Sequence, residues 1–310
     1  MTTLRELGEL EIVRRLARLL GAAPDGVLGI GDDTAVVRGT DDQDFLLTSD
    51  PVVEGTHFLA ETDPLRVGHK AVGRVLSDFA AMGGVPAWLL MDLVAPADTD
   101  YAWVEGLYVG ARELAGRYNV QIVGGDTARG PVRELHVFGL GCVPRGKALL
   151  RSGARPGDRI FVTGSLGGSM AGKHLDFEPR VSEGCWLRDA GGVTAMIDVS
   201  DGLASDLRHI VEESGVGAEL MADVIPVSDA ARATARESCL AHALHDGEDF
   251  ELLFCVSPDR AESLAAEWRR RFELACTEIG RVTDQKGKIV LIQCEHRLEL
   301  DADGYEHFRR

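Results

Sequence analysis

The chain has 310 residues, 45% of them hydrophobic and 27% charged, with a formal net charge of −17. That length and balance suit a soluble globular protein of two domains with proper cores. The acidity excludes a nucleic-acid or anionic-membrane surface but not a phosphorylated substrate, since bound metal ions reverse the sign of a site.

Six scattered cysteines, with no C-x-x-C pair among them, predict reduced thiols rather than a disulfide frame or a zinc site. The first twenty residues carry Arg5, Glu6, Glu9, Glu11, Arg14, Arg15 and Arg18, too many charges for a signal peptide, and no later run is long enough to span a bilayer. A cytoplasmic location is expected.

In chain order, Leu4 to Leu20 reads as one amphipathic helix that Gly21 and Pro24 stop. Leu28-Gly29-Ile30-Gly31-Asp32-Asp33 then introduces a recurring pattern: a short apolar run, small residues, and aspartate. It returns at Leu46 to Asp50, at Gln121 to Asp126 and at Met196 to Gly202. Apolar runs of this length are strand candidates, so each return sets a carboxylate at a strand end or in the loop behind it. Convergence of those ends would demand a cation, because ionised carboxylates side by side raise each other's pKa. Oxygen donors without His or Cys favour Mg²⁺ or Ca²⁺ over zinc. For any single Gly-Asp, a turn or a helix cap stands as the alternative.

After the strand Phe45 to Ser49, Asp50-Pro51 opens a loop with Glu54, Gly55 and His57. Pro64 to Met82 is the clearest helix, with Pro in its first turn and Gly83-Gly84 behind it. Ala71, Val72, Val75, Phe79 and Met82 share one arc, and Asp78 sits at its edge, where a carboxylate needs a partner or a metal. A strand (Trp88 to Val94), a helix (Tyr101 to Tyr118), a strand ending at Gly124-Gly125-Asp126-Thr127 and a strand from Glu134 to Val143 follow. Pro144 to Gly157, rich in Gly and Pro, reads as the domain link, giving domains 1–145 and 146–310. It also concentrates Arg145, Lys147, Arg151 and Arg155, of which one or two would suit a phosphate.

The second half starts with the strand Arg159 to Thr163. Gly167 to Lys173 fits the G-x-x-x-x-G-K of a P-loop, but His174 stands where Ser or Thr should hold Mg²⁺. Pro179 also leaves little room for the helix that a P-loop needs. Ala195 to Val199 is a strand and Gly202 to Ser214 a helix, whose N-terminus is capped by Ser200 or Asp201 and is equally a phosphate site. Strands at Ala218 to Met221, Phe250 to Val256, Glu278 to Val282 and Ile289 to Gln293 make the second domain mixed α+β.

Taken together, the chain resembles the thiamine-monophosphate kinase family, of the superfamily typified by aminoimidazole ribonucleotide synthetase. The resemblance runs through Gly31-Asp32-Asp33-Thr34-Ala35, Thr48-Ser49-Asp50, Glu54-Gly55-Thr56-His57-Phe58, Ser77 to Gly83, and Gly124-Gly125-Asp126-Thr127. It continues in Arg151 to Asp158, Asp198 to Leu203, Gly247 to Leu252 and Gly304-Tyr305. Selenophosphate synthetase and the hydrogenase-maturation dehydratase share the acidic scaffold but use a reactive Cys near one terminus that this chain lacks.

The resemblance implies two α+β domains, the N-terminal one forming a homodimer. It implies transfer of a phosphoryl group from ATP to thiamine monophosphate, the last step of thiamine diphosphate biosynthesis. Magnesium would be held by Asp33, Thr48, Ser49, Asp50, Asp78, Asp126, Asp198 and Asp201. ATP would meet Tyr108, Gly125, Asp126, Arg151 and Ser200, and the acceptor His57, Glu248 and Tyr305. No protein base is needed, because the nucleophile is already an ionised phosphate oxygen.

The chain departs from the family in three places. The segment Lys173 to Glu178 is short, Gly168 stands where Asp is frequent, and Asp246 where Gly is frequent. A different acceptor within the superfamily, and a nucleotide-binding protein without turnover, are the other two readings.

Overall fold

A computed structural model of the chain describes residues 2–234, 239–294, 296–300 and 308. In chain order the elements are α1 (Leu4–Leu7), α2 (Glu9–Leu20), β1 (Val27–Leu28), β2 (Ala35–Arg38), β3 (Gln43–Val53), α3 (Pro64–Ala81), β4 (Val85–Ala95) and α4 (Tyr101–Arg117). Next come β5 (Gln121–Gly124), β6 (Thr127–Arg129), β7 (Glu134–Pro144), β8 (Arg159–Thr163), α5 (Lys173–Asp176), α6 (Val181–Ala190), β9 (Val193–Asp198) and α7 (Leu203–Ser214). The chain ends in β10 (Gly217–Met221), α8 (Asp229–Thr234), α9 (Cys239–His245), β11 (Leu252–Val256), α10 (Pro258–Arg271), β12 (Cys276–Thr283), β13 (Ile289–Gln293) and β14 (His296–Glu299). The helix read as continuous from Leu4 is broken at Gly8, whose φ of 73° and ψ of 163° leave the helical region.

Two compact units emerge. The first comprises Val36–Leu149 with Met170–Gly191; the second comprises the described residues up to Ala35, Leu150–Ser169, and those from Gly192 onward. This grouping interleaves what the sequence divides at 145/146. Residues before Val36 go with the second unit because Asp32 and Asp33 bond Arg151 there. Residues 170–191 go with the first because α6 lies directly on α3: a Cβ on Gly184 would come within 2.1 Å of the Ala80 carbonyl oxygen.

The first unit's sheet runs β2-β3-β7-β4-β5, with β6 beside the far half of β4. Its pleat separates two faces. Leu46 and Val52 of β3, Leu135 and Val137 of β7, and Leu89 and Met91 of β4 are buried. On the opposite face Leu47, Trp88, Leu90 and Phe138 are 41–50% exposed, brought together by the pairs Leu47↔Leu140, Trp88↔Leu140 and Leu90↔Phe138.

The second unit's sheet runs β14-β13-β10-β12-β8-β11-β9. β11 is buried along its whole length, as the unbroken apolar run of a doubly covered strand requires. Leu253 and Cys255 join the core that includes Leu203, Leu207 and Ile210 of α7. Phe254 instead stacks between Phe161 and Trp268 of α10, at 5.6 and 6.4 Å.

Candidate functional site

In the first unit, Thr48 and Asp50 occupy the β3 positions between buried Leu46 and Val52 and meet α3. Thr48 donates through Oγ1 to Asp78 at 2.5 Å, and Arg74 grips Asp50 through Nε and Nη2 at 3.0 and 2.9 Å. Arg74 and Asp78 are one helical turn apart, so α3 offers them side by side. Ser49 has the opposite parity: it is exposed and pairs with Phe138 on the apolar outer face. Its hydroxyl does not join the Thr48 hydroxyl and the Asp50 carboxylate.

The loop holding His57 is tied down by hydrogen bonds from Glu54 to Phe58. The Val53 N–H donates to His57 Nδ1 at 3.0 Å, and the Val53 carbonyl oxygen accepts the His57 N–H at 2.8 Å. Glu54 pairs with Arg133 at 2.6 Å; that hydrogen bond holds its carboxyl below the usual range. The Arg133 guanidinium lies 4.4 Å above Trp103, against which Phe58 stacks.

Between β5 and β6 the chain crosses β4 at close range. Gly125 has φ of 153°, and a Cβ there would sit 1.9 Å from the Met91 carbonyl oxygen, so only glycine fits. Asp92, which sequence reasoning missed, accepts the Asp126 N–H at 2.8 Å. This leaves the Asp126 side chain exposed. Tyr108, Gly125 and Asp126 line a cavity of about 330 Å³. Tyr108, Ile122 and Thr127 also line a more apolar neighbour of about 790 Å³. Burial, then the Asp92 charge, push the Tyr108 hydroxyl above its ordinary pKa.

The second unit gathers Asp33, Arg151, Asp198, Ser200, Asp201 and Glu248. Arg151 donates through Nη2 to Asp33 at 2.6 Å, and its backbone N–H lies 3.2 and 3.3 Å from the two Asp32 oxygens. Burial opposes the Arg151 charge, but Asp33, Asp32 and Asp198 outweigh it and hold its pKa above the ordinary value. Asp32 is pushed up to about 7 by burial and then by Asp33. Burial, followed by Arg151 and Arg14, lowers His209 to about 4.

Asp206, one turn into α7, accepts the N–H groups of Asp201 and Gly202 at 3.1 Å each and so shapes the loop before that helix. It is buried, and burial together with Asp201 and Asp198 raises its pKa. Asp206 was missed, and Asp32 stood in the aspartate pattern without a role assigned to it. For Asp206 the signal was available: a carboxylate on the apolar face of its helix, the argument applied to Asp78. Glu248 is locked against the same loop, its N–H on Ser200 O at 2.6 Å and its φ at 64°.

The P-loop lookalike has no free cradle. The N–H groups of Gly167 and Gly168 donate to Asp249 and Asp246 at 2.7 and 2.8 Å, and the helix behind them, α5, has only four residues. Gly168 and Asp246, two of the departures from the family pattern, are thus bonded to each other. Tyr305 lies outside the described residues.

The donors fit a hard divalent cation. All are oxygens, and buried Asp33 Oδ2 has no hydrogen-bond partner. Among the described residues, however, no three His, Cys, Asp or Glu side chains close around one point.

Residues 31–143 match the family of AIR synthase related proteins, N-terminal domain, and residues 155–293 its C-terminal domain. The thiamine-monophosphate kinase of Escherichia coli K12 is 38% identical over 97% of this chain and 98% of its own. The structure of AaThiL complexed with AMPPCP and TMP superposes with a TM-score of 0.86 at 31% identity, covering 99% of each chain. The thiamine-monophosphate kinase of Stenotrophomonas maltophilia K279a gives 0.75 at 34% identity over 91% of this chain and 95% of its own. The two α+β domains expected from the sequence stand.

Proposed function

We propose a function from one premise: the chain belongs to the AIR synthase related family, within its thiamine-monophosphate kinases. It is a kinase that uses ATP to phosphorylate thiamine monophosphate to thiamine diphosphate. The observation that carries this is the end-to-end match with relatives of that name, one of them solved with AMPPCP and TMP.

In the first unit, Tyr108, Gly125 and Asp126 would receive ATP, a reading supported by the cavity they share and the apolar one beside it. Thr48, Asp50, Asp78 and Asp126 are its oxygen donors for magnesium, with Ser49 facing the other way. In the second unit, Asp33, Asp198 and Asp201 are the donors, and Arg151 and Ser200 would meet the nucleotide. Bound Mg²⁺ supplies positive charge between two anionic phosphates. The residues themselves position and neutralise: Arg151 adds a fixed cation, and His57 and Glu248 would hold the acceptor, with Tyr305 a further candidate to stack on it. No side chain needs to remove a proton, so the reading is direct in-line transfer.

A homodimer is supported by the outer face of the first unit's sheet, where Leu47, Trp88, Leu90 and Phe138 form an exposed apolar patch. No helix among the described residues is long and apolar enough to cross a membrane, in keeping with a cytoplasmic enzyme.

The test incubates the protein with ATP, Mg²⁺ and thiamine monophosphate and separates thiamine diphosphate by chromatography. Product that disappears with EDTA is expected. ATP binding without product would overturn the acceptor and keep the scaffold.

A further inference from the structure

Lys70 is fully buried in α3, where an ammonium group persists only with good hydrogen-bond acceptors around it. Its Nζ donates to the carbonyl oxygen of His57 at 2.7 Å and to Nδ1 of His174 at 3.0 Å. One cation therefore joins the loop after β3 to the short segment 172–177. Two neighbours on α3 grip the same segment. Arg66 donates to both Asp176 oxygens at 2.8 and 2.5 Å and to the Gly172 carbonyl at 3.3 Å, and His69 Nε2 donates to the Phe177 carbonyl at 2.8 Å. His174, Leu175 and Phe177 are buried.

We propose that segment 172–177 is a strut for the acceptor site, acting through Lys70 and His174 to position His57. The proposal rests on the reading of His57 as an acceptor-binding residue. His57 Nδ1 accepts the Val53 N–H, which a protonated Nδ1 cannot do, so the neutral ring carries its proton on Nε2. An Nε2–H donor suits a phosphate oxygen of the acceptor, and Lys70 fixes the backbone that carries this buried ring. Lys70 and His174 touch neither substrate; both are positioning residues.

The test is steady-state kinetics on Lys70→Met, His174→Ala and His174→Gln, with the melting temperature of each. Losing the positioned donor should raise KM for thiamine monophosphate about tenfold in Lys70→Met and His174→Ala, with KM for ATP unchanged. His174→Gln, whose Oε1 still accepts from Lys70, should restore KM to near wild type. A parallel rise in both KM values, or no change in either, overturns the strut. Should Lys70→Met fail to fold, the His174 pair decides.

A long-range proton–nitrogen spectrum of the imidazoles gives a readout independent of turnover. The wild type should show His57 protonated on Nε2, with that signal displaced in His174→Ala; an undisturbed signal overturns the proposal. A wild type that makes no thiamine diphosphate would refute the kinase reading, and the ring spectrum would then decide the strut alone.

Discussion

In the first unit Asp50 and Asp78 each take a separate partner, Arg74 and Thr48, while Asp126 stays at the surface. In the second, Asp32, Asp33, Asp198 and Asp206 share the field of one half-buried guanidinium, which Asp33 meets directly, while Asp32 and Asp206 accept backbone N–H groups. Burial first, and then repulsion from neighbouring carboxylates, disfavours the ionised forms and raises the pKa of Asp32 and of Asp206. A divalent ion would relieve that repulsion. The second unit thus waits for charge, whereas the first presents donors already at rest.

The largest expected effect breaks the exposed side of this comparison. Asp126→Asn should lower kcat on the order of a thousandfold with an unchanged melting temperature, because that carboxylate supports little else. A variant that keeps most of its turnover would remove Asp126 from the site. Arg151→Met probes the crowded side. Removing the shared cation leaves Asp33 buried without its partner, and stability should fall by about 3–5 kcal/mol, read by chemical denaturation in EDTA. A neutral result would mean that the carboxylates there are already protonated or hydrated.

Asp32→Asn sharpens the picture through pH. The folded pKa of Asp32 is raised from 3.8 to about 7. Its contribution is therefore fully present below 3.8 and lost as pH rises through 7. In EDTA the wild type should lose on the order of 4 kcal/mol across that window on this account, and Asp32→Asn should not. Parallel stability curves would refute the crowding.

The smallest effect separates the two faces of β3. Ser49→Ala should leave kcat within about twofold, in keeping with a surface side chain. Thr48→Val, which removes the hydroxyl bonded to Asp78, should lower it distinctly more. Equal losses would place Ser49 in the site after all.

Much of this was legible from local pattern. The helix from Pro64, the strand Arg159–Thr163 and the carboxylates at the ends of β5 and β9 follow from periodicity, caps and Gly-Asp spacing, whereas Asp50, expected to open a loop, lies inside β3, which runs on to Val53. Other features depend on what the chain meets in space. That Asp92 accepts the Asp126 N–H comes from β4 and the β5–β6 break lying side by side, which no spacing in the sequence reveals. Strand parity could have separated Ser49 from Thr48, but the family motif groups them as neighbours. The Pro and Gly of residues 144–157 marked a link, yet α6 returns to the first unit through its contact with α3, a choice made by packing.

That return has a consequence for synthesis. A ribosome releases the residues up to Ala35 and then Val36–Leu149, next Leu150–Ser169 of the other unit, and only afterwards Met170–Gly191. At about 5–20 residues per second, α3 waits some seconds with the groove for α6 uncovered and Lys70 lacking His174. The nascent chain must cross that interval without sticking to its neighbours. A fragment cut at the domain link would remain in it permanently.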